Sequence, residues 1–185
     1  MLLAAAFCVG APWVQAAGRL RCLVQGCCHG RKADAAVGIR YVHPMSRVCW
    51  LTDLTAVPVH PTPLYSILFT VIVAIIMARL WLSGASLTLI LGGYYILTGL
   101  GRFVEESLRG EPQTPVFAGL RLYQVLAAIS LFGGILVTMI STGGNAPSPQ
   151  FNWEAVAASA GFGLFIWIAF GVDLPTSNRR FARLT

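Results

Sequence analysis

Residues 18–31 read GRLRCLVQGCCHGR, from Gly18 to Arg31. The stretch places Arg19, Arg21, Cys22, Cys27, Cys28, His29 and Arg31 in the connection between two apolar segments, and no other part of the chain is so dense in reactive side chains. The flanking segments are long and apolar, so these arginines need partners at a membrane surface. Guanidinium is matched there by phosphate, the anion that lipid itself supplies.

Composition agrees. The 185 residues are 56% hydrophobic and only 11% charged, with a mean hydropathy of +0.71, whereas ordinary soluble domains carry about 25% charge. The expectation is one membrane domain over residues 1–185: an all-α polytopic protein of about five transmembrane helices, with a long interfacial loop between the first two. The net charge of +6 suits a surface facing anionic headgroups, and nothing in the chain resembles a nucleic-acid module. The five cysteines do not make a disulfide scaffold, which is short, secreted and cysteine-dense. Cys8 lies in an apolar run and reads as packing.

Taken in order, Leu2 to Ala17 reads as the end of a spanning helix or as a signal peptide, the latter disfavoured because no Lys or Arg precedes Arg19. At about 16 residues, with Pro12 and Gln15 inside, it falls slightly short of a full span, which leaves open both a complete short form and a fragment of a longer chain. Residues 18 to 61 form a polar loop with six of the thirteen basic residues and a β-like run at Val37 to Val42. His60-Pro61-Thr62-Pro63-Leu64-Tyr65 opens a second span to about Leu82. Proline is tolerated in a first helical turn, and Tyr65 falls at interface depth.

A third span runs from about Ser86 to Phe103, with Gly92, Gly93, Gly99 and Gly101 permitting close backbone approach. If the helix continues, spacings of three, four and seven put Arg102, Glu105, Glu106 and Arg109 on one face. Two readings stand: a solvated helix end with internal salt bridges, or a site in which Arg102 presents its fork to a phosphate and Glu106 orients it. The turn-rich loop 110–119 leads to a fourth span, about Leu120 to Ile140. Gln124, just inside it, is either interhelical glue or part of a site. A fifth span, Trp153 to Val172, ends at the basic tail Asn178 to Arg183.

Four motifs in sequence order carry a resemblance. They are Gly18-Arg19-x-x-Cys22 through Gly26-Cys27-Cys28-x-Gly30; His60-Pro61-x-x-Leu64-Tyr65; Gly101-Arg102-Phe103-Val104-Glu105-Glu106-x-x-Arg109; and Gln124. Over roughly residues 5–140 the chain resembles the second half of the prolipoprotein diacylglyceryl transferase family, with residues 141–185 as an additional span and tail. The resemblance implies transfer of diacylglyceryl from phosphatidylglycerol to the lipobox cysteine of a preprolipoprotein, in the bacterial cytoplasmic membrane, with no cofactor. Partners implied are phosphatidylglycerol, the preprolipoprotein signal peptide and the bilayer, with an upstream half or a larger membrane assembly besides.

By motif matching, Arg19, Arg102, Glu106 and His60 take catalytic roles, and Arg19, Gly26, Gly30, Tyr65, Arg102, Arg109 and Gln124 form the phospholipid site. Guanidinium groups in a low-dielectric cavity stabilise charge gathering on the departing phosphate. His29 and His60 are the candidate acceptors of the thiol proton. The chain departs from the family pattern in carrying Cys22 in place of Asn and Cys27 in place of Glu. The positive-inside rule places the loop 18–61 in the cytoplasm, while the resemblance places it on the outer face, the expectation adopted. Two other classes of function remain: an inactive relative serving as a subunit of a membrane complex, and a metal or redox site built from Cys22, Cys27, Cys28, Cys49 and either His29 or His43. The second is disfavoured because its spacing is not C-x-x-C.

Overall fold

The computed structural model describes residues 1–44, 46–110, 115–117, 119–141 and 144–170, without the side chains of 167, 169 and 170. It divides into two compact units, Met1–Ser148 and Pro149–Thr185.

The first unit is helical. Helix α1, Leu2–Gln25, does not stop near Ala17 as the apolar run does. Residues 18–25 are mostly Leu, Arg, Gln and Val with no breaker after Gly18, and the stop is Gly26, at φ 68° in the left-handed conformation that glycine adopts at helix ends. Arg19 and Cys22 therefore lie one turn apart on a helix rather than in a loop. Helix α2, Arg47–Leu51, is a single short turn capped by Ser46, whose Oγ accepts from the Cys49 N–H at 3.3 Å.

Helices α3, Thr62–Leu82, α4, Leu87–Leu108, and α5, Leu122–Met139, are each long and apolar enough to cross a membrane. They match the expected second, third and fourth spans to within a few residues. Of the five expected spans these three meet that measure among the described residues. Helix α1 is 24 residues long but carries Arg19 and Arg21 near its end. A two-residue hairpin, β1, Val116–Phe117, with β2, Leu120–Arg121, leads into α5.

The core is formed by Ala5, Cys8 and Ala11 of α1, Val73 and Met77 of α3, and Leu87, Ile90 and Tyr94 of α4, with Cys8 packed as the apolar run implies. Helices α4 and α5 meet through glycines: a Cβ on Gly99 would lie 2.7 Å from the Ala127 carbonyl oxygen, and one on Gly134 would lie 2.7 Å from that of Gly92. Small residues admit such backbone contact between membrane helices.

The loop between α1 and α3 is pinned by backbone hydrogen bonds. Gly30 N–H donates to the His60 carbonyl at 2.8 Å, His60 N–H to that of Arg31 at 3.0 Å, and Arg31 N–H to that of Leu108 at 3.0 Å. The run Val37 to Val42 forms no strand among the described residues; Ile39 alone pairs, with Val59. A turn from Asp34 to Gly38 leads into that pairing, with the Val37 and Gly38 N–H groups donating to the Asp34 carbonyl at 3.1 and 2.8 Å.

The second unit contains α6, Trp153–Phe170, within the expected fifth span; the last two residues of that span lie outside the described residues. Asn152 Oδ1 accepts from Glu154 N–H at 2.8 Å and starts the helix. The tail Asn178 to Arg183 and most of the loop segment 111–118 lie outside the described residues.

Candidate anion-binding site

Helix α4 continues past Phe103, so its charged residues do share one face. Two carboxylates sit at the centre, Glu106 fully buried and Glu105 nearly so. Arg102 lies 3.1 Å from Glu105 Oε1 and 3.6 Å from Glu106 Oε2. Arg109, which caps the helix, lies 3.8 Å from Glu105 Oε1 and 3.5 Å from Glu106 Oε2. Two further arginines arrive from elsewhere: Arg19 on α1, 3.3 Å from Glu105 Oε1, and Arg121 from β2, 3.7 Å from Glu106 Oε1. Four guanidinium groups thus surround two carboxylates, an excess of two positive charges.

The pairs are loose. Charge-assisted N–H···O bonds close to about 2.7–2.9 Å, whereas both Glu106 oxygens, Arg109 Nε and Arg121 Nη1 complete no hydrogen bond among the described residues. Buried polar atoms in that state are costly unless something else satisfies them. The cluster has charge and donor capacity left for an anion.

Beside it lies a cavity of about 760 Å³. Arg19, Arg102 and Glu105 line it, with Tyr65, Ser66, Phe69 and Thr70 of α3 and Tyr123, Leu126, Ala127 and Ser130 of α5. Along α4 the lining runs from Tyr94 to Leu108, about 21 Å of helix at 1.5 Å per residue. That is well over half of a bilayer core of about 30 Å. The charges lie toward the Leu108 end and the remainder is mainly apolar and aromatic, a shape that suits an amphiphile with an anionic head.

Polar pairs punctuate the lining. Arg102 lies over the Tyr123 ring, 5.2 Å from its centroid. Tyr65, on the wall, has its hydroxyl 3.3 Å from His60 Nδ1. Toward the other end Gln15 Nε2 donates to the Tyr94 hydroxyl at 2.9 Å.

The residues expected in a site are thus sorted by the fold. Arg19, Arg102 and Tyr65 line the cavity, Glu106 and Arg109 stand behind them, and His60 reaches the wall only through Tyr65. Gln124 is buried and accepts from the Arg121 N–H at 3.0 Å, so its visible work is to hold Arg121 at the start of α5. Gly26 and Gly30 are pressed by protein: a Cβ on Gly26 would meet Val48 and Tyr41 at 3.0 and 3.1 Å, and one on Gly30 would lie 2.5 Å from His60 Cβ. His29 is buried with Nδ1 2.9 Å from the Gly30 carbonyl oxygen.

Arg121 went unmarked in the sequence, Gln15 figured only as a polar residue inside the first apolar run, and Glu105 was placed on the charged face without a role. Arg121 had one signal, its place three residues before the buried Gln124.

Cys22, Cys27 and Cys28 also converge, with their three Sγ atoms within 4.8 Å of one another. Hydrogen bonding with the Cys22 and Cys28 thiols, reinforced by burial, holds the Cys27 thiol above its ordinary pKa. Nearby Tyr41, whose hydroxyl donates to the Leu23 carbonyl at 2.8 Å, is pushed up to about 12 by burial and the cysteine charges.

Comparison with known proteins sets this site in context. The sequence model for prolipoprotein diacylglyceryl transferase matches residues 1–140, a range containing every residue of the cavity and both clusters. A phosphatidylglycerol–prolipoprotein diacylglyceryl transferase 2 of Clostridium perfringens (strain 13 / Type A) is 29% identical over 138 residues, covering 71% of this chain and 49% of the relative. A phosphatidylglycerol–prolipoprotein diacylglyceryl transferase of Clostridium tetani (strain Massachusetts / E88) is 29% identical over 126 residues, covering 66% of this chain and 47% of the relative. The chain spans about half the length of these curated relatives. No solved structure matches it.

Proposed function

Because the chain belongs to the prolipoprotein diacylglyceryl transferase family, we propose that residues 1–140 bind phosphatidylglycerol and serve transfer of its diacylglyceryl group to the lipobox cysteine thiol of a preprolipoprotein. The observation that carries this reading is the excess of two positive charges at the mouth of an elongated apolar cavity. A phosphodiester brings one negative charge. When the acceptor thiolate attacks the adjacent glyceryl carbon, a C–S bond forms and the C–O bond breaks. The electron pair stays on phosphate oxygen, and the glycerol phosphate that leaves approaches two negative charges.

Arg19 and Arg102 face the cavity and take that developing charge. Glu105, also on the cavity wall, pairs with both, Glu106 pairs with Arg102 from behind, and Arg109 and Arg121 in turn pair with those carboxylates. The acyl chains lie along α3, α4 and α5 toward Tyr94. The acceptor thiol gives its proton to His60 through the Tyr65 hydroxyl, which lies on the wall 3.3 Å from His60 Nδ1. The protein is placed in the bacterial cytoplasmic membrane with its signature loop, residues 26–61, at the outer face, where the preprolipoprotein signal peptide arrives.

The test is transfer of labelled diacylglyceryl from phosphatidylglycerol to a lipobox peptide by the 185-residue chain in nanodiscs. Loss of one preorganised donor from a charge-stabilising site lowers rate by about 10²–10³-fold, and Arg102→Ala is expected to do so. No transfer by the folded wild-type chain, or an equal rate in the variant, overturns the reading.

A further inference from the structure

Three thiols outside the arginine cluster are gathered by the way α1 ends. Cys22 lies on its last turn, Gly26 turns the chain in the left-handed conformation, and Cys27 and Cys28 fold back onto Cys22. Cys28 is itself held at φ 58°, a conformation unfavourable to a residue with a Cβ, and its carbonyl is tied down by the Thr62 hydroxyl.

No disulfide takes up any of the three. A disulfide would close one pair to about 2.0 Å and leave the third thiol over, whereas a metal ion uses all three at once. With metal–sulfur bonds of about 2.3 Å, three thiolates around one zinc ion have sulfurs about 3.8–4.0 Å apart. The observed triangle, with all three within 4.8 Å, needs only a small contraction to reach that geometry. An all-sulfur donor set selects thiophilic ions over hard, oxygen-preferring cations. Charge agrees as well: three thiolates and a divalent ion sum to one negative charge, and Arg19, one helical turn before Cys22 on α1, is a neighbouring cation that offsets it.

We propose that Cys22, Cys27 and Cys28 form a three-thiolate site for zinc or a similar divalent d10 ion, with its fourth position left to an exogenous ligand. The site stands independently of the transfer reading and touches it at one residue, Arg19, which would be shared between the metal thiolates and Glu105. The C-x4-C-C spacing hides it from any search for C-x-x-C pairs.

The test is anaerobic titration of the reduced full chain in nanodiscs, with zinc followed by a competing chromophoric chelator and with cadmium followed by thiolate-to-metal charge transfer. One equivalent of each should bind, and a Cys8→Ser/Cys49→Ser variant should bind equally. Cys27→Ser should weaken binding more than about tenfold, since losing even an outer-shell partner costs about 10–100-fold. In the wild-type chain, one equivalent of zinc should slow alkylation at Cys22, Cys27 and Cys28 but not at Cys8 or Cys49, a readout that needs no variant to fold. Absence of stoichiometric binding, undiminished binding in Cys27→Ser, or protection at other cysteines overturns the proposal.

Discussion

The two halves of α4 hold their surroundings by opposite means. From Gly92 to Gly99 the helix is pressed against α5 so closely that a methyl on either glycine would strike backbone, 2.6 Å from the Gly134 carbonyl oxygen and 2.7 Å from that of Ala127. From Arg102 to Arg109 the same helix carries ion pairs of 3.1–3.8 Å, several of them without a completed hydrogen bond. The first half is filled and specifies where two helices sit. The second is charged and incompletely satisfied, a form suited to receiving a ligand. Packing in this protein is finished by the chain itself, whereas the electrostatics are left open at one end.

The largest effect that would break this contrast is removal of its central carboxylate. Glu106→Ala removes the carboxylate paired with Arg102, Arg109 and Arg121 and leaves Glu105 to face four guanidinium groups, and stripping one partner from a buried ion pair costs about 3–5 kcal/mol. Thermal unfolding in detergent should show a strongly lowered Tm. An unchanged Tm would mean that the arginines are already satisfied by solvent or lipid.

Next comes Arg19→Ala. This arginine lies at the cavity edge, with 21% of its side chain exposed, so its loss should lower transfer by about 10²–10³-fold with a far smaller change in Tm than Glu106→Ala. Parallel losses of rate and stability would erase the distinction between lining and supporting residues.

The packed half is tested by two neighbouring glycines. Gly134→Ala forces a Cβ to within 2.7 Å of the Gly92 carbonyl oxygen and should destabilise by about 1–3 kcal/mol, the usual cost of overpacking. Gly133→Ala meets nothing within 4 Å and should be neutral or slightly stabilising, since alanine is the better helix former by about 0.5–1 kcal/mol. Equal unfolding curves for the two would show that α4 and α5 are not in backbone contact.

The smallest effect belongs to the aromatic face under Arg102. Tyr123→Leu removes a cation–π contact worth about 0.5–1 kcal/mol at a partly exposed site. That amounts to roughly two- to fivefold weaker lipid retention, measurable by lipid exchange.

Much of the bundle was legible because hydrophobic runs of bilayer length report themselves. The segments that became α3, α4 and α5 are such runs, and residues three and four apart in Arg102, Glu105, Glu106 and Arg109 share a face wherever a helix continues. Where α1 ends was less legible: charge at Arg19 and Arg21 looks like the edge of a membrane segment, yet only Gly26 can end the helix. Arg121 was hidden for a different reason. It belongs to a short hairpin with no periodicity to link it to α4, and its partner Glu106 lies fifteen residues upstream. Gly26 and Gly30 look alike in sequence whether a ligand or the protein presses on them, and the structure puts Val48, Tyr41 and His60 there. The convergence of Cys22, Cys27 and Cys28 depends on the left-handed turn at Gly26, which spacing alone does not describe.

In the proposed function, the excess positive charge at the end of α4 holds the phosphate of a lipid. The most direct measurement is native mass spectrometry of the 185-residue chain released from nanodiscs of mixed phosphatidylglycerol and phosphatidylcholine, beside Arg19→Ala and Arg102→Ala. One phosphatidylglycerol should stay bound in preference to phosphatidylcholine, and that preference should fall sharply in each variant. Equal retention of both lipids by the wild-type chain, or a preference unchanged in both variants, would contradict it.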